Sequence, residues 1–101
     1  MTDTGDEHSE DQVVVDDAEV LRVVRRFARR MHQARVDRGM TQRELSKAAG
    51  LSLGQVHRIE RWRHDRDAKG ETAIPNPDMH TLWAIADGLG VDLRTLLAEE
   101  E

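Results

Sequence analysis

Apolar residues recur every three or four positions along most of the chain, and no stretch alternates apolar and polar residues. This spacing matches the period of an α-helix, whereas a half-buried β-strand has a period of two. Two series show it best: Val20, Val24, Phe27, Met31 and Ala34, then Met79, Leu82, Trp83, Ala86 and Leu89. The pattern predicts an all-α fold with both series in the hydrophobic core.

Capping signals mark where the helices are predicted to begin. Thr41 precedes Glu44 by three residues, and Ser52 precedes Gln55 in the same way; this is the spacing of a capping box. Gly50 lies where a residue in the left-handed conformation ends the earlier helix. Three more starts are indicated by Asp16, Asp78 and Asp92. The sequence therefore predicts five helices.

The first helix is predicted to run from Asp16 to Arg38, which is long for a small domain. Its first turns carry four apolar residues among arginines: Val20, Leu21, Val23 and Val24. We expect this apolar surface to pack on an extended third helix or to form a dimer contact.

Charge is distributed unevenly along the chain, whose formal net charge is -5. Residues 1–17 contain seven acidic residues and no Lys or Arg, and residues 99–101 add three acids. Residues 18–98 contain all fifteen basic residues and ten acids, a formal charge of +5. We expect residues 1–15 to form a disordered acidic tail, which either serves solubility or competes with DNA for a basic face.

Composition narrows the classes of function. The chain has no cysteine and three aromatic residues, and its apolar runs are far shorter than a membrane span. We therefore expect a cytoplasmic, nucleoid-associated protein with no membrane-spanning segment and no disulfide. Three aromatic residues are too few for a base-stacking platform, which favours duplex DNA over single strands as a nucleic-acid partner.

The segment Phe27–Leu97 resembles the helix-turn-helix domain of the Cro and phage-repressor family, the XRE family. Gln42 opens the second helix, Ser46 lies at the close helix contact and Gly50 lies at the turn. Five residues occupy the expected core positions: Leu45, Ala49, Leu51, Val56 and Ile59. The resemblance implies a compact five-helix, lambda-repressor-like domain over residues 16–98, with its helix-turn-helix unit at 41–60.

The chain departs from the family pattern over residues 61–76, where about eleven extra residues intervene. Two interpretations remain open: the third helix continues to about Lys69, or the insertion is a basic mobile loop. Either way we expect Arg61, Arg63 and Arg66 to reach DNA phosphates. Trp62 is expected to pack against the domain or against a partner subunit.

The third helix, predicted over residues 53–61, has the properties of a DNA-recognition helix. At about 100° per residue, its apolar Val56 and Ile59 point inward. The opposite face carries the candidate base-reading residues: Leu53, Gly54, Gln55, His57 and Arg58. Arg58 suits a guanine edge, Gln55 an adenine or a phosphate, and Leu53 a thymine methyl group.

Further site residues follow from the resemblance. Gln42 is expected to bond a phosphate at the start of the second helix, with Arg43 and Lys47 adding charge. Arg35 and Glu60 match a structural ion pair that joins the first helix to the third. No cofactor or metal is expected, because the spacing of His64, Asp65 and Asp67 matches no compact metal site.

Three functions fit the sequence. The first is a sequence-specific regulator of transcription, a repressor that binds double-stranded DNA as a homodimer. The second is an antitoxin on the same scaffold, which would also bind a toxin through the N-terminal helix or tail. The third is a protein-binding adaptor without base readout. An enzyme is not expected, since no nucleophile and base pair or phosphate loop stands out.

Overall fold

The computed structural model describes residues 17–64 and 77–99. These residues form five α-helices joined by short turns. They are α1 (Asp17–Asp37), α2 (Gln42–Ala49), α3 (Leu53–Glu60), α4 (Met79–Leu89) and α5 (Leu93–Leu97), with a 3₁₀ turn, Arg61–Arg63, directly after α3. These two ranges contain no strand. The predictions of an all-α fold and of five helices are confirmed. The predicted acidic tail and the insertion beyond His64 lie outside the described residues.

The predicted capping signals form as expected. Glu44 N–H donates to Thr41 Oγ1 and Thr41 N–H donates to Glu44 Oε1, at 3.0 and 2.8 Å. Ser52 and Gln55 form the same reciprocal pair at the start of α3. Asp78 and Asp92 cap α4 and α5; Asp16, predicted to cap α1, lies outside the described residues. Each cap satisfies backbone N–H groups that have no partner within the helix.

The hydrophobic core is formed by one cluster to which all five helices contribute. Its most deeply buried residues are Met31 of α1, Leu45 of α2, Val56 of α3, Ile85 of α4 and Leu96 of α5. Because every helix contributes a fully buried side chain, no helix can separate without exposing apolar surface to water. The short helices α2, α3 and α5 therefore depend on this packing, being too short to persist alone.

The prediction that Met79 and Trp83 belong to the core is wrong. Their exposed fractions are 61% and 63%, whereas Ile85 of the same helix is fully buried. Nearly all sides of α4 carry apolar residues, so its sequence pattern leaves the inward side undetermined. Both exposed side chains border an open groove of about 560 Å³ between α4 and α5.

The prediction that the third helix continues to Lys69 is also wrong. The helix ends at Glu60, the 3₁₀ turn follows, and His64 has extended backbone angles of φ -100° and ψ 136°. Trp62 is 3% exposed within this turn, and the turn lies against α1. The indole therefore packs inside the domain and not against a partner subunit. Burial of the Trp62 indole against α1 favours the 3₁₀ turn over a further turn of α3.

The first turns of α1 pack against other helices of the domain. Near its start, Val20, Val24 and Phe27 border a cavity of about 140 Å³ together with Leu82 and Leu97. Helix α1 contacts α3, the 3₁₀ turn, α4 and α5, so it packs on the third helix, although that helix is not extended as predicted. The alternative of a dimer contact stays a prediction. Across residues 17–64 and 77–99, no helix is long and apolar enough to span a membrane.

Arginines of α1 hold α5 in place. Arg26 Nη2 donates to the carbonyl of Leu97 at 3.3 Å, and Arg30 Nη1 donates to the carbonyl of Thr95 at 2.7 Å. The last carbonyls of a helix lack partners within it, and cationic donors are favoured there. These bonds join the two ends of the domain, which are far apart in sequence.

Candidate nucleic-acid interface

The turn between α2 and α3 is short and closely bonded. Gly50 ends α2 with φ +70°, a conformation that residues with a side chain rarely adopt. The N–H of Leu51 then donates to the carbonyl of Ser46 at 2.9 Å. Ser46 is itself buried, and its hydroxyl donates to the carbonyl of Arg43 at 2.7 Å. The turn therefore fixes α3 relative to α2 without a large side chain at their junction.

A second close contact, which the sequence interpretation missed, supports α2 from the other side. A Cβ atom added to Gly88 of α4 would lie 3.1 Å from the backbone nitrogen of Ala49 and 3.2 Å from its Cα atom. Only glycine allows α4 to approach the end of α2 so closely. The position of α2 is thus fixed by the turn at Gly50 and by the close contact with α4.

The two faces of α3 separate as predicted. Val56 and Ile59 are buried in the core, at 0% and 5% exposure. Gly54, His57 and Arg58 are exposed, and Leu53 and Gln55 are half-buried. An added Cβ atom at Gly54 would meet only Ser52 Oγ, at 3.9 Å, so the outer surface of the first turn is open. The exposed face is therefore free to approach another molecule closely.

The cap at the start of α3 limits what Gln55 can do. Its Oε1 accepts a hydrogen bond from the Ser52 N–H at 2.9 Å, while its own N–H donates to Ser52 Oγ. Bidentate recognition of adenine needs both the amide oxygen and the amide nitrogen. With the oxygen held in the cap, the amide nitrogen remains to donate to a phosphate or to a single base acceptor.

The start of α2 presents polar side chains near the same surface. Gln42, its first residue, is half-buried, while Arg43 and Lys47 are exposed. The acid of this helix, Glu44, is held by its capping bond to the Thr41 N–H. Gln42 thus lies at the N-terminal end of α2, a place that suits a phosphate oxygen.

The Arg35–Glu60 pair joins α1 to the end of α3, as the resemblance implied. Arg35 Nε and Nη2 donate to Glu60 Oε1 and Oε2 at 3.0 and 2.7 Å, and Arg35 Nη1 donates to the carbonyl of Met40 at 2.6 Å. The side chain of Glu60 is fully buried. Removing one partner from such a buried pair strands the other charge at a cost of about 3–5 kcal/mol.

His32 is a third member of this group, and the sequence interpretation missed it. Its Nδ1 contacts Glu60 Oε2, the same oxygen that Arg35 Nη2 bonds. A carboxylate can only accept, so Nδ1 carries the proton. His32 lies one turn before Arg35 on α1, which is the only signal in the sequence that could have indicated it.

Hydrogen bonds decide the ionisation of Glu60. Burial alone would raise the pKa of its carboxyl, but the hydrogen bonds from Arg35 and His32 outweigh burial, so the pKa lies below its ordinary value. The hydrogen bond to Glu60 likewise raises the pKa of Arg35. The pair is therefore charged throughout the physiological range and holds the end of α3 against α1.

The predicted phosphate-binding arginines after α3 differ in their surroundings. Arg63 is half-buried, and its Nη1 donates to the carbonyl of Glu60 at 3.0 Å, so part of its guanidinium caps α3. Arg61 is half-buried and makes interactions within the domain. Arg66 lies outside the described residues. His64 is exposed, while Asp65 and Asp67 lie beyond the described range.

Comparison with known families agrees with this geometry. A family model described as a helix-turn-helix domain matches residues 26–99 of the chain. No curated protein and no solved structure gives a significant match. The matched range contains the capped pair α2–α3 with its Gly50 turn, the helices α4 and α5, and α1 from Arg26 onwards. The chain therefore belongs to the helix-turn-helix domain family, which indicates a DNA-binding regulator.

Proposed function

We propose that the protein is a transcriptional repressor that binds specific sequences in double-stranded DNA, with α3 in the major groove. The observation that carries the proposal is the division of α3 into a buried face and an exposed face with Arg58, His57 and Gly54. An α-helix fits the major groove, where each base pair presents a distinct pattern of donors and acceptors. The XRE resemblance supports the same orientation.

Within this proposal, Arg58 is the principal base reader. Its side chain is exposed two residues before the end of α3, and two parallel N–H groups of a guanidinium match O6 and N7 of guanine. His57 beside it can donate to or accept from a base edge. Leu53 offers an apolar surface to a thymine methyl group, and Gly54 lets the backbone approach.

Phosphate contacts position α3 in the groove. Gln42 and the helix-end N–H groups of α2 bond one phosphate, while Arg43 and Lys47 attract the same strand. The amide nitrogen of Gln55 remains available for a further phosphate, because its oxygen is held in the cap. Arg61, Arg63 and Arg66 would extend these contacts along the backbone.

A homodimer bound to a two-fold operator completes the proposal, with the protein acting in the cytoplasm at the nucleoid. One α3 helix reads only a few base pairs, so two copies one helical turn apart supply the remaining specificity. Half-sites of the operator should then be centred about 10 base pairs, or a multiple of that, apart.

A selection experiment tests this function. The purified protein would be used to enrich binding sites from a random duplex library at fixed salt, in parallel with Arg58→Ala and with Arg94→Ala. Arg94 is a matched control, since its side chain is 90% exposed on α5. We expect an inverted repeat for the wild type and for Arg94→Ala, and loss of preference at one base pair for Arg58→Ala, equivalent to about 1–3 kcal/mol.

Two results would contradict the proposal. If no sequence were enriched, the protein would not bind DNA specifically under these conditions, and the proposed function would be rejected. The same enriched sequence from wild type and Arg58→Ala would remove Arg58 as a reader of bases.

A second candidate function adds a protein partner, as in an antitoxin on this scaffold. It is favoured by Met79 and Trp83, which expose large apolar surface beside an open groove. Exposed apolar patches often mark protein contacts. A small protein that co-purifies with the wild type but not with Trp83→Ser would support this function. If neither the wild type nor Trp83→Ser brought a partner with it, that result would count against it.

A further inference from the structure

One side of α4 points away from the hydrophobic core and carries a continuous row of residues. They lie on successive turns of the helix: His80, Trp83, Ala84 and Asp87. His80, Trp83 and Asp87 are exposed, and Ala84 is half-buried. All of them border an open groove of about 450 Å³, whose other wall is Ala49 of α2. We call this row the α4 stripe.

The α4 stripe combines an apolar centre with polar ends. Trp83 is 63% exposed, and Met79, one turn before it, is 61% exposed. Neighbouring large apolar side chains on a surface mark a contact with another protein. His80 and Asp87 lie two turns apart, about 10.5 Å along the helix axis, so a base and an acid stand at opposite ends of the stripe.

This arrangement is complementary to itself. Consider two antiparallel α4 helices related by a two-fold axis midway between Trp83 and Ala84. His80 then faces the partner's Asp87, and Trp83 faces the partner's Ala84. An imidazole N–H can donate to a carboxylate whether or not the ring is charged. The large indole meets a small methyl group, so the two helices can interlock.

Other uses of the same surface fit less well. A two-fold axis at Trp83 itself would set the two indoles against each other and Met79 against the carboxylate of the partner's Asp87. A purely apolar partner helix would cover His80 and Asp87 without offering either a polar group, which costs free energy. A second copy in the first arrangement satisfies both ends of the stripe.

We propose that the α4 stripe is the interface between two copies of this chain, packed as an antiparallel pair of α4 helices. This inference rests on the proposed function, in which a homodimer binds a two-fold operator, and it names the surface that joins the two copies. The residues that border the groove include none of the proposed DNA contacts, so dimerisation and DNA binding use separate surfaces.

The size of the interface sets the strength of the dimer. Helix α4 has 11 residues, which corresponds to a length of about 16 Å. A single pair of such helices buries less surface than a permanent dimer does. We therefore expect monomer and dimer to be in measurable equilibrium in the absence of DNA.

An exchange of charge between two variants tests the proposal. His80→Glu places a carboxylate opposite the partner's Asp87, and Asp87→Lys places an ammonium group opposite the partner's His80. Sedimentation equilibrium of the full chain measures the association constant. We expect it to fall at least about 10-fold for His80→Glu and about 3-fold for Asp87→Lys, because like charges repel and the hydrogen bond is lost.

An equimolar mixture of the two variants should associate as strongly as wild type, to within about threefold. In the mixed dimer, the introduced carboxylate faces the introduced ammonium group, and the other end keeps the original pair of His80 and Asp87. This recovery requires both variants to be folded, so it excludes misfolding as the cause of the losses.

Val23→Glu is the matched control. It changes the formal charge by the same amount as His80→Glu, but on the apolar surface at the start of α1, where Val23 is 39% exposed. We expect its association constant to equal that of wild type. A loss confined to Val23→Glu would place the interface on α1 and overturn the proposal.

Three further results would overturn the proposal. One is a wild type that stays monomeric up to about 1 mM. Another is equal association of the wild type and both α4 variants. The third is a loss that the mixture does not restore. A monomeric wild type whose co-purifying protein is lost in Trp83→Ser would assign the α4 stripe to that partner instead.

Duplex binding separates this inference from the proposed function. If the mixture restored the dimer but the wild type bound no duplex, the interface would stand and the DNA-binding function would be rejected. If the wild type and His80→Glu bound the same inverted repeat with equal affinity and associated equally, that function would stand and the inference would be rejected.

Discussion

Individual residues matter most where their charge or size is hidden from water. Glu60 is such a residue, because its carboxylate is fully buried and bonded by Arg35 and His32. Trp62 is another, since it fills the space between the 3₁₀ turn and α1. In both cases the side chain closes the C-terminal end of α3 against the domain.

Stability should fall in acid through Glu60. Its pKa is lowered in the folded protein, so the unfolded chain takes up the proton at higher pH. The stabilisation is therefore complete above the ordinary pKa of 4.5 and is lost as pH falls through the folded value. Urea unfolding between pH 7 and pH 3 should show this loss.

The comparison with Glu60→Gln isolates the contribution of this residue. Asp78 and Asp92 also have lowered pKa values, that of Asp92 about 2 through its hydrogen bond with Arg94, and act in the same direction. Glu60→Gln should be less stable at pH 7 and show a shallower decline. An unchanged slope would indicate that Glu60 does not control acid unfolding.

The two tryptophans should respond oppositely to truncation. Trp62 is 3% exposed and Trp83 is 63% exposed. We expect Trp62→Ala to lower the free energy of unfolding by about 3–5 kcal/mol, and Trp83→Ala by less than about 1 kcal/mol. Denaturant titration followed by far-UV circular dichroism measures both. Similar losses from the two variants would contradict the assignment of Trp62 to the core.

At the scale of elements, the position of the helix-turn-helix unit depends on contacts with helices outside it. The turn at Gly50 sets α3 against α2, Gly88 brings α4 onto the end of α2, and Arg35 ties α3 to α1. Each contact uses a different kind of interaction. The unit is therefore held on three sides, which limits how far α3 can tilt.

Gly88→Ala should loosen the packing of α4 on α2. The added Cβ atom would meet the backbone of Ala49 at 3.1–3.2 Å, and a helix backbone cannot move aside as a flexible side chain does. We expect a loss of about 1 kcal/mol or more, despite the higher helix propensity of alanine. Gly54→Ala is the matched control, because its Cβ atom meets nothing closer than 3.9 Å.

Thermal unfolding of the two variants would settle the comparison. Gly54→Ala should be as stable as wild type or more stable by up to about 1 kcal/mol. A stabilising effect of Gly88→Ala would show that α4 can retreat from α2 without cost.

For the whole molecule, charge distribution decides how DNA binding depends on salt. The formal charge of residues 18–98 is +5 although the chain as a whole carries -5. The proposed phosphate contacts would act over short distances, so we expect the basic domain to govern DNA binding more than the net charge does.

The logarithm of the association constant for duplex DNA should fall linearly with the logarithm of the salt concentration. Removing one phosphate contact with Lys47→Gln should reduce the magnitude of this slope by about 1 and weaken all sequences equally. Arg94→Gln should leave the slope unchanged, because the Arg94 side chain is exposed on α5, outside the proposed interface. Fluorescence anisotropy at several salt concentrations measures the slopes, and identical slopes for Lys47→Gln and wild type would remove Lys47 from the interface.

Local interactions explain why so much of the fold could be predicted. The capping pairs Thr41–Glu44 and Ser52–Gln55 join residues three apart, so they form almost independently of the rest of the chain. The same holds for the Gly50 turn and for the inward position of Val56 and Ile59. The candidate recognition face followed from these local features together with the family resemblance.

Features that depend on distant parts of the chain could not be predicted in this way. The apolar residues of α4 surround the helix, so only its packing against α1, α2 and α5 determines that Ile85 is buried and Trp83 exposed. The sequence also does not determine where α3 ends, because its end depends on the packing of Trp62 against α1. His32 and Glu60 lie 28 residues apart and meet only once the helices have packed. Short-range bonds therefore determine where the helices lie in the chain, whereas burial of shared surface determines which sides of them meet.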